Sequence, residues 1–238
     1  MSKSTESLSQ GIDVSIKNPL LFVPALVPIG IHLLFTFLAY VVFSYRVWGY
    51  GWFGGGLYEM MVPNSYVLWG GAFLAFVFGF IAECVIVDMA NDALQKKTLN
   101  LSKSLNAVTS RLGVLIVAAL IAAVCAITFV LIPIAFFIIT IAVLENLDAA
   151  ESTKKAFDFV IKNLGEVIVF LIIVIVIDVI FTFAFTVIPV VGPYLGVVIQ
   201  WLLNVVFTAS AVGFYNALRH TVSTPQPPPP PPPPPPIP

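Results

Sequence analysis

The sequence predicts an all-α polytopic membrane protein of about six helical spans in three repeated units, followed by a disordered polyproline tail. Three observations support this fold class. Hydrophobic residues make up 59% of the chain and charged residues only 10%, whereas soluble domains usually carry about 25% charged residues. Several apolar stretches are long enough to cross a bilayer. A short, charged, amphipathic segment precedes an apolar stretch three times, which indicates an internal repeat.

The repeat is clearest between residues 7–18 and residues 152–163. Five positions match in register: Ser7 with Ser152, Asp13 with Asp158, Ile16 with Ile161, Lys17 with Lys162, and Asn18 with Asn163. A looser middle copy places Arg111 where Asn163 stands, and Leu112-Gly113 follows it. We therefore predict that each unit consists of an interfacial amphipathic helix and a helical hairpin.

The spans follow the apolar stretches in chain order. They are predicted over Leu20–Tyr45, Tyr66–Val87, two short helices within Leu112–Leu144, Val167–Val187 and Tyr194–Leu218. Arg46–Ser65 is predicted to be a loop whose tyrosines and tryptophans suit the headgroup layer, as do Tyr66 and Trp69. Residues 1–220 together form the predicted integral membrane domain.

Leu112–Leu144 is an uncharged stretch that forms either one long kinked helix or a hairpin broken at Pro133. As one helix it would be about 50 Å long, against a hydrocarbon core of about 30 Å. A hairpin places ten of the eleven lysines and arginines on one side of the membrane and only Arg46 on the other, whereas a single span divides them six to five. The positive-inside rule favours the hairpin, in a cell-membrane protein with both termini in the cytoplasm.

The segments that connect the units have the periodicity of amphipathic helices. Apolar residues recur at helical spacing in both: Leu101, Leu105, Val108 and Leu112, and then Ala156, Val160 and Leu164. Asp148 followed by Glu151 is typical of a helix start. We expect these helices to lie in the headgroup plane with their lysines in water. Soluble linker helices are the alternative.

The last two spans each carry a polar stripe at a spacing of four residues: Asp178, Thr182 and Thr186, and then Gln200, Asn204 and Thr208. Counted outward from the turn between the spans, Asp178 reaches the depth of Asn204, and Thr182 reaches that of Gln200. We predict that the stripes face each other and that Asp178 bonds the Asn204 amide. His32 lies at a similar depth in the first span. This layer either locks the helices together or relays protons or cations through Asp178 and His32.

Glu83 is the other acid predicted within a span, and it continues a stripe of small residues formed by Gly71, Ala75 and Gly79. Small residues let helices approach closely. We place Glu83 about one turn from the cytoplasmic end, where it either reaches the interface or serves as a functional acid.

Other chemistry is poorly represented. The net charge of −1 gives no reason to expect a nucleic-acid partner. The two cysteines and two histidines form no metal or catalytic motif, so no cofactor and no metal are expected. Residues 49–54 match the pattern G-x-G-x-x-G, but they follow a membrane span rather than a strand and predict no dinucleotide site.

The tail, residues 221–238, contains ten consecutive prolines from Pro227 to Pro236. Such a run forms a semi-rigid polyproline II rod about 31 Å long. It either docks on a cytoplasmic polyproline-binding partner or is a low-complexity appendage without a partner.

One part of the chain resembles a known family. The stretch from Ile132-Pro133 to Glu145-Asn146, and then from Ala149 to Leu164, resembles a group of prokaryotic polytopic membrane proteins. Their best-named relative is the membrane domain attached to some glycerophosphodiester phosphodiesterases. The resemblance covers roughly residues 100–218 and implies a six-helix membrane domain. The catalytic phosphodiesterase domain is absent from this sequence, so no enzymatic residues carry over.

Three classes of function follow. The first is a non-enzymatic membrane scaffold or accessory domain that organises lipids or partner proteins. The second is a transporter or permease component for a small solute or ion that uses Asp178 and Glu83, because internal repeats are common in transporters. The third is a lipid-directed membrane enzyme, which would need a polar cluster at one face. The sequence leaves the oligomeric state open.

Overall fold

Helices make up most of the described structure. The computed structural model describes residues 2–50, 57–188 and 191–219. Its elements, in chain order, are α1 (Lys3–Lys17), α2 (Leu26–Phe37), β1 (Tyr45–Tyr50), β2 (Leu57–Val62), α3 (Ser65–Leu94), α4 (Leu101–Ser110), α5 (Leu112–Ile127), α6 (Ile132–Leu144), α7 (Ala149–Lys162), α8 (Leu164–Thr186) and α9 (Gly192–Arg219). A short π-helix at Leu38–Val42 extends α2. The all-α class is confirmed apart from one hairpin. The predicted polyproline tail lies outside the described residues.

The predicted loop over Arg46–Ser65 is wrong in part, because strands β1 and β2 lie in this region. They pair antiparallel from Tyr45 opposite Val62 to Tyr50 opposite Leu57. Strand β1, with the sequence YRVWGY, contains three aromatic residues and one valine, and these residue types favour extended backbone. The hairpin joins the end of α2 to the start of α3, where the Asn64 N–H donates to the Ala39 carbonyl at 3.1 Å.

Among the residues that the structure describes, three helices are long and apolar enough to cross a membrane: α3, α8 and α9. A fourth candidate is the pair α4 and α5, which is bent by 75° at the break between the two helices. Shorter apolar helices cover Leu26–Val42 and Ile132–Leu144. The outward side of α8 is lined with exposed aliphatic residues, which suit contact with lipid tails. The chain is therefore a helical membrane protein.

Residues 112–144 fold back on themselves, as predicted. The guanidinium of Arg111, just before α5, donates to the Ala142 carbonyl at 3.2 Å and to the Leu147 carbonyl at 2.6 Å, near the end of α6. The break falls at residues 128–131, slightly before the predicted Pro133. Proline lies in the first turn of α6 because its missing N–H has no helical partner there.

Side-chain caps fix where the amphipathic helices begin and end. Asp148 accepts the Glu151 N–H at 2.8 Å and starts α7, as predicted. At the other end of α7, the Asn163 side-chain amide donates to the Phe159 carbonyl at 2.8 Å. Asn18 makes the same bond to the Val14 carbonyl at 2.9 Å at the end of α1. Two positions that match in the sequence repeat thus perform the same local role.

The hydrophobic core extends across the bundle and includes much of α3, and its aromatic part lies where α6, α7, α8 and α9 converge. This part is a cluster of aromatic rings, buried except for the partly buried Phe136, in which neighbouring centroids lie 4.7 to 6.2 Å apart: Phe136, Phe137, Phe159, Phe170, Phe214 and Tyr215. Edge-to-face and offset-stacked pairs of this kind add about 0.5–1.5 kcal/mol each beyond the burial of area. This packing holds the ends of the four helices in fixed relative positions.

Helix α1 packs against the bundle through a face of small residues: Ser4, Ser7, Gly11 and Ser15. A Cβ on Gly11 would lie 2.7 Å from the Ser210 backbone of α9, so only glycine permits this close approach. The Ser4 hydroxyl donates to the Glu166 carboxylate at 2.8 Å and anchors the start of α1 to the start of α8. Ile12 and Ile16, on another side of α1, remain exposed.

Candidate functional sites in the helix bundle

A single glutamine joins the two predicted polar stripes. The Gln200 amide nitrogen of α9 donates to the Asp178 carboxylate of α8 at 2.5 Å. Its carbonyl oxygen accepts the Thr182 hydroxyl at 3.1 Å. Both polar atoms of the amide are therefore bonded to α8. We call Asp178, Thr182 and Gln200 the amide clamp.

The clamp confirms the predicted contact between Thr182 and Gln200 and corrects the partner of Asp178. Asp178 bonds Gln200, not Asn204. Asp178 and Thr182 lie one helical turn apart, and the longer glutamine side chain reaches both of them. Asn204 lies one turn further along α9 and is partly buried. The equal depth of these residues correctly predicts that the two stripes meet, but the length of the glutamine side chain determines which residue Asp178 bonds.

His32 lies close to the clamp. It lines a groove of about 360 Å³ between α2, α3 and α9 together with Gln200 and Trp201. The rest of the lining is apolar, from alanine, valine, phenylalanine and glycine residues. The structure thus brings His32 and Gln200 to one groove, as the depth estimate predicted.

The small-residue stripe of α3 packs closely, as expected, against two different helices. A Cβ on Gly71 would lie 2.1 Å from the Phe35 side chain of α2. A Cβ on Gly79 would lie 2.2 Å from the Trp201 ring of α9. Ala75, between these glycines, is buried.

Glu83 continues this stripe, and α3 extends well beyond it. Helix α3 extends to Leu94, seven residues beyond the predicted end of the span. At 1.5 Å per residue, Glu83 lies about 16 Å before the end of the helix. Asp88, Asn91 and Asp92, which the sequence predicts to lie in a connection, belong to the helix. Asn91 and Asp92 bond polar partners on α9 and α4.

Basic residues gather at one end of the bundle. Lys103 of α4 donates to Asp92 of α3 at 3.0 Å, and Lys97 lies 3.9 Å from the same carboxyl group. The Asn216 amide of α9 donates to Asn91 of α3 at 3.1 Å. The last turns of α3 and α9 therefore meet beside the start of α4. We call this end of the bundle, which carries Lys97 and Lys103, the basic end.

Glu145 is the polar centre of this end, and sequence reasoning did not select it as a site. It follows α6 and accepts hydrogen bonds from Tyr215 of α9 and Lys155 of α7. The Arg219 guanidinium lies 3.9 Å from it and over the Tyr215 ring, 5.7 Å from the centroid. Lys155 and Lys97 thus lie at the same end of the bundle.

The charge state of Glu145 follows from these partners. Burial raises the pKa of its carboxyl, but the hydrogen bonds from Lys155 and Tyr215 and the nearby positive charges lower it more. The pKa of Glu145 therefore lies below its ordinary value. An acid at the C-terminal end of an apolar helix opposes the helix dipole. An acid at this position is therefore the feature of the sequence that indicates nearby cations.

The described residues contain no group of three or more histidine, cysteine, aspartate or glutamate side chains able to hold a metal ion. Cys84 and Cys125 are both free thiols.

The fold and these sites define the class of the protein, a helical membrane protein with a polar clamp between two helices and a charged network at one end. Comparison with known proteins adds no closer identity: neither a family model, nor a curated protein, nor a solved structure matches the chain. The resemblance to the phosphodiesterase-associated membrane domain therefore stays a prediction.

Proposed function

We propose that this protein is a non-catalytic, multi-pass membrane scaffold or accessory domain. The observation that carries the proposal is the amide clamp. Both polar atoms of Gln200 are bonded to one neighbouring helix, which is the arrangement of a helix lock. Interhelical hydrogen bonds in membranes contribute about 0.6–2 kcal/mol each.

The proposed topology has six spans in three units with both termini in the cytoplasm. Helices α1, α4 and α7 are amphipathic, and residues Asn18, Arg111 and Asn163 cap their ends directly before apolar segments. The 75° bend between α4 and α5 suits a helix that lies in the interface before a span. The basic end would then face the cytoplasm, by the positive-inside rule.

Three spans of this topology are short. Leu26–Val42 would reach about 25 Å, α5 about 24 Å and α6 about 20 Å at 1.5 Å per residue, against a core of about 30 Å. Local thinning of the bilayer accommodates a mismatch of this size at a modest cost per ångström. Tyr66 and Trp69, exposed at the start of α3, would mark the opposite headgroup layer.

Cysteine labelling tests the topology. In a cysteine-free background, exposed Thr98 and Lys154 would each be replaced by cysteine, and exposed Val130 would serve as the opposite end. In sealed vesicles with the outer face outward, a membrane-impermeant maleimide should label position 130 and leave positions 98 and 154 unlabelled until the membrane is opened. Labelling of 154 with protection of 98 would refute the three-unit topology.

A second candidate function is transport of a small solute or ion through Asp178 and Glu83. The groove beside His32 and Gln200 favours it, because it opens next to the clamp. Uptake by proteoliposomes separates the two functions. Asp178→Asn keeps a carbonyl acceptor for Gln200 but removes the ionisable group. A scaffold would assemble unchanged and show no uptake in either form, whereas a transporter would show uptake that the variant loses.

A further inference from the structure

A basic groove lies between α7 and α9, apart from the clamp and from the His32 groove. Its volume is about 160 Å³, which is room for roughly five water molecules at about 30 Å³ each. It is lined by Lys155, Asp158, Phe159, Lys162, Tyr215 and Arg219. Three cationic side chains and one anionic side chain therefore face this space.

The three cations differ in how fully they are paired, and the Arg219 guanidinium lies 3.9 Å from Glu145, at the limit of an ion pair. Lys155 is occupied by its hydrogen bond to Glu145. No ion pair involves Lys162 in the part of the chain that the structure describes. Arg219 has a buried Nε atom without a hydrogen-bond partner among the described residues. A buried unsatisfied donor costs about 1–3 kcal/mol, and because Arg219 lines the groove, an anion there would give its guanidinium an acceptor.

The sequence repeat supplies an internal comparison. Lys162 matches Lys17 of α1, but Lys17 pairs with Asp13 one turn away at 2.8 Å. In α7, Asp158 occupies the matching position and lines the groove without such a pair to Lys162. The same two residue types thus form an ion pair in α1, whereas in α7 they line a groove without pairing with each other.

The surroundings of the groove indicate the source of the anion. Phe157, Ile161 and Leu164, on another side of the same stretch of chain, are 47%, 56% and 49% exposed. Helix α7 therefore presents an apolar side and a basic side at once, which is the pattern of a helix at the membrane interface. An anion that reaches a groove at the membrane interface is a lipid phosphate.

We propose that the groove formed by Lys162, Arg219 and Tyr215 binds the phosphate headgroup of an anionic phospholipid. This inference rests on the proposed membrane topology, which places the basic end at the headgroups. The apolar side of α7 would meet the acyl region, while Lys162 and the Arg219 guanidinium contact the phosphate oxygens.

Native mass spectrometry of the full chain in detergent tests the proposal. The protein would be titrated with dioctanoyl-phosphatidylglycerol, with dioctanoyl-phosphatidylcholine and inorganic phosphate as separate arms. We expect one phosphatidylglycerol to bind with preference over phosphatidylcholine. Lys162→Gln should weaken this binding about fivefold, since a basic residue near an anionic lipid contributes about 1 kcal/mol. Lys162→Arg should retain it.

Lys17→Gln is the matched control and should leave binding unchanged. Equal losses in Lys17→Gln and Lys162→Gln would overturn the site, because they would indicate a general charge effect. Equal binding of the two lipids would overturn it as well. Inorganic phosphate that competes at the same concentration would overturn the lipid assignment. The maleimide labelling of positions 98 and 154 tests the topology independently, so failure of the lipid site and failure of the topology give different results.

Discussion

Replacing Gln200 by leucine removes the side chain that connects α8 to α9 while keeping a similar length and adding no charge. The variant loses the bond to Asp178 at 2.5 Å and the bond to Thr182 at 3.1 Å together. Hydrogen bonds between membrane helices average about 0.6 kcal/mol and reach about 1.7 kcal/mol. We therefore expect the free energy of unfolding to fall by about 1–3 kcal/mol.

The assay is reversible unfolding in mixed micelles by titration with dodecyl sulfate, followed by far-ultraviolet circular dichroism. A double-mutant cycle with Asp178→Leu isolates the contact itself. The coupling free energy between the two positions should be about 0.6–2 kcal/mol. Asp178→Asn should lose little, because its carbonyl can still accept from Gln200.

Asn204→Leu is the control that distinguishes the observed pairing from the one expected by depth. Its coupling to Asp178→Leu should be close to zero. If Asn204 couples to Asp178 as strongly as Gln200 does, or if Gln200 does not couple at all, the clamp is not the contact that joins these helices.

Three further predictions concern packing, charge and the fold-back of residues 112–144. Gly79→Ala should destabilise the bundle by about 1–3 kcal/mol in the same titration, because its Cβ would collide with a ring, whereas Gly70→Ala meets open space and should not destabilise it. Glu145→Gln should make the protein less sensitive to acid. The folded-state pKa of Glu145 lies below its ordinary value, so the carboxylate stabilises the fold above about pH 4.3. That stabilisation is lost as the pH falls through the folded-state pKa. An acid transition that is the same in wild type and variant would contradict this. Arg111→Ala should cost about 1–3 kcal/mol by leaving carbonyls at the end of α6 unpaired, and an equal loss in exposed Lys154→Ala would contradict a specific role.

Much of the architecture could be predicted because it depends on periodicity and composition. Helical spacing identified α4 and α7, and Asp148 marked the start of α7. The distribution of lysine and arginine indicated that residues 112–144 fold back, and Arg111 joins the two ends of that hairpin. These features follow from local spacing or from solvation in lipid, and neither requires knowledge of neighbouring helices.

The features that the sequence does not predict are strand β1, the end of α3 and the partner of Asp178. Strand β1 could not be separated from a loop because it is short and rich in glycine and aromatic residues. The predicted span ends at Val87, before the end of α3 at Leu94. The polar residues that follow Val87 are typical of a connection, and their partners on α4 and α9 cannot be identified from the sequence. The bond between Gln200 and Asp178 is not predicted, because counting residues gives depth along a helix and ignores how far a side chain reaches.

By itself, the amino-acid order determined that the chain is a helical membrane protein, which segments are apolar, and which polar groups lie at similar depth. The tertiary structure alone decided that Glu145 gathers Lys155, Tyr215 and Arg219, and that α1 packs on α9 through Gly11. These contacts join positions up to about 200 residues apart. Hydrophobicity and periodicity act on neighbours along the chain, whereas partner choice between helices depends on their crossing and rotation, which only the packed bundle specifies.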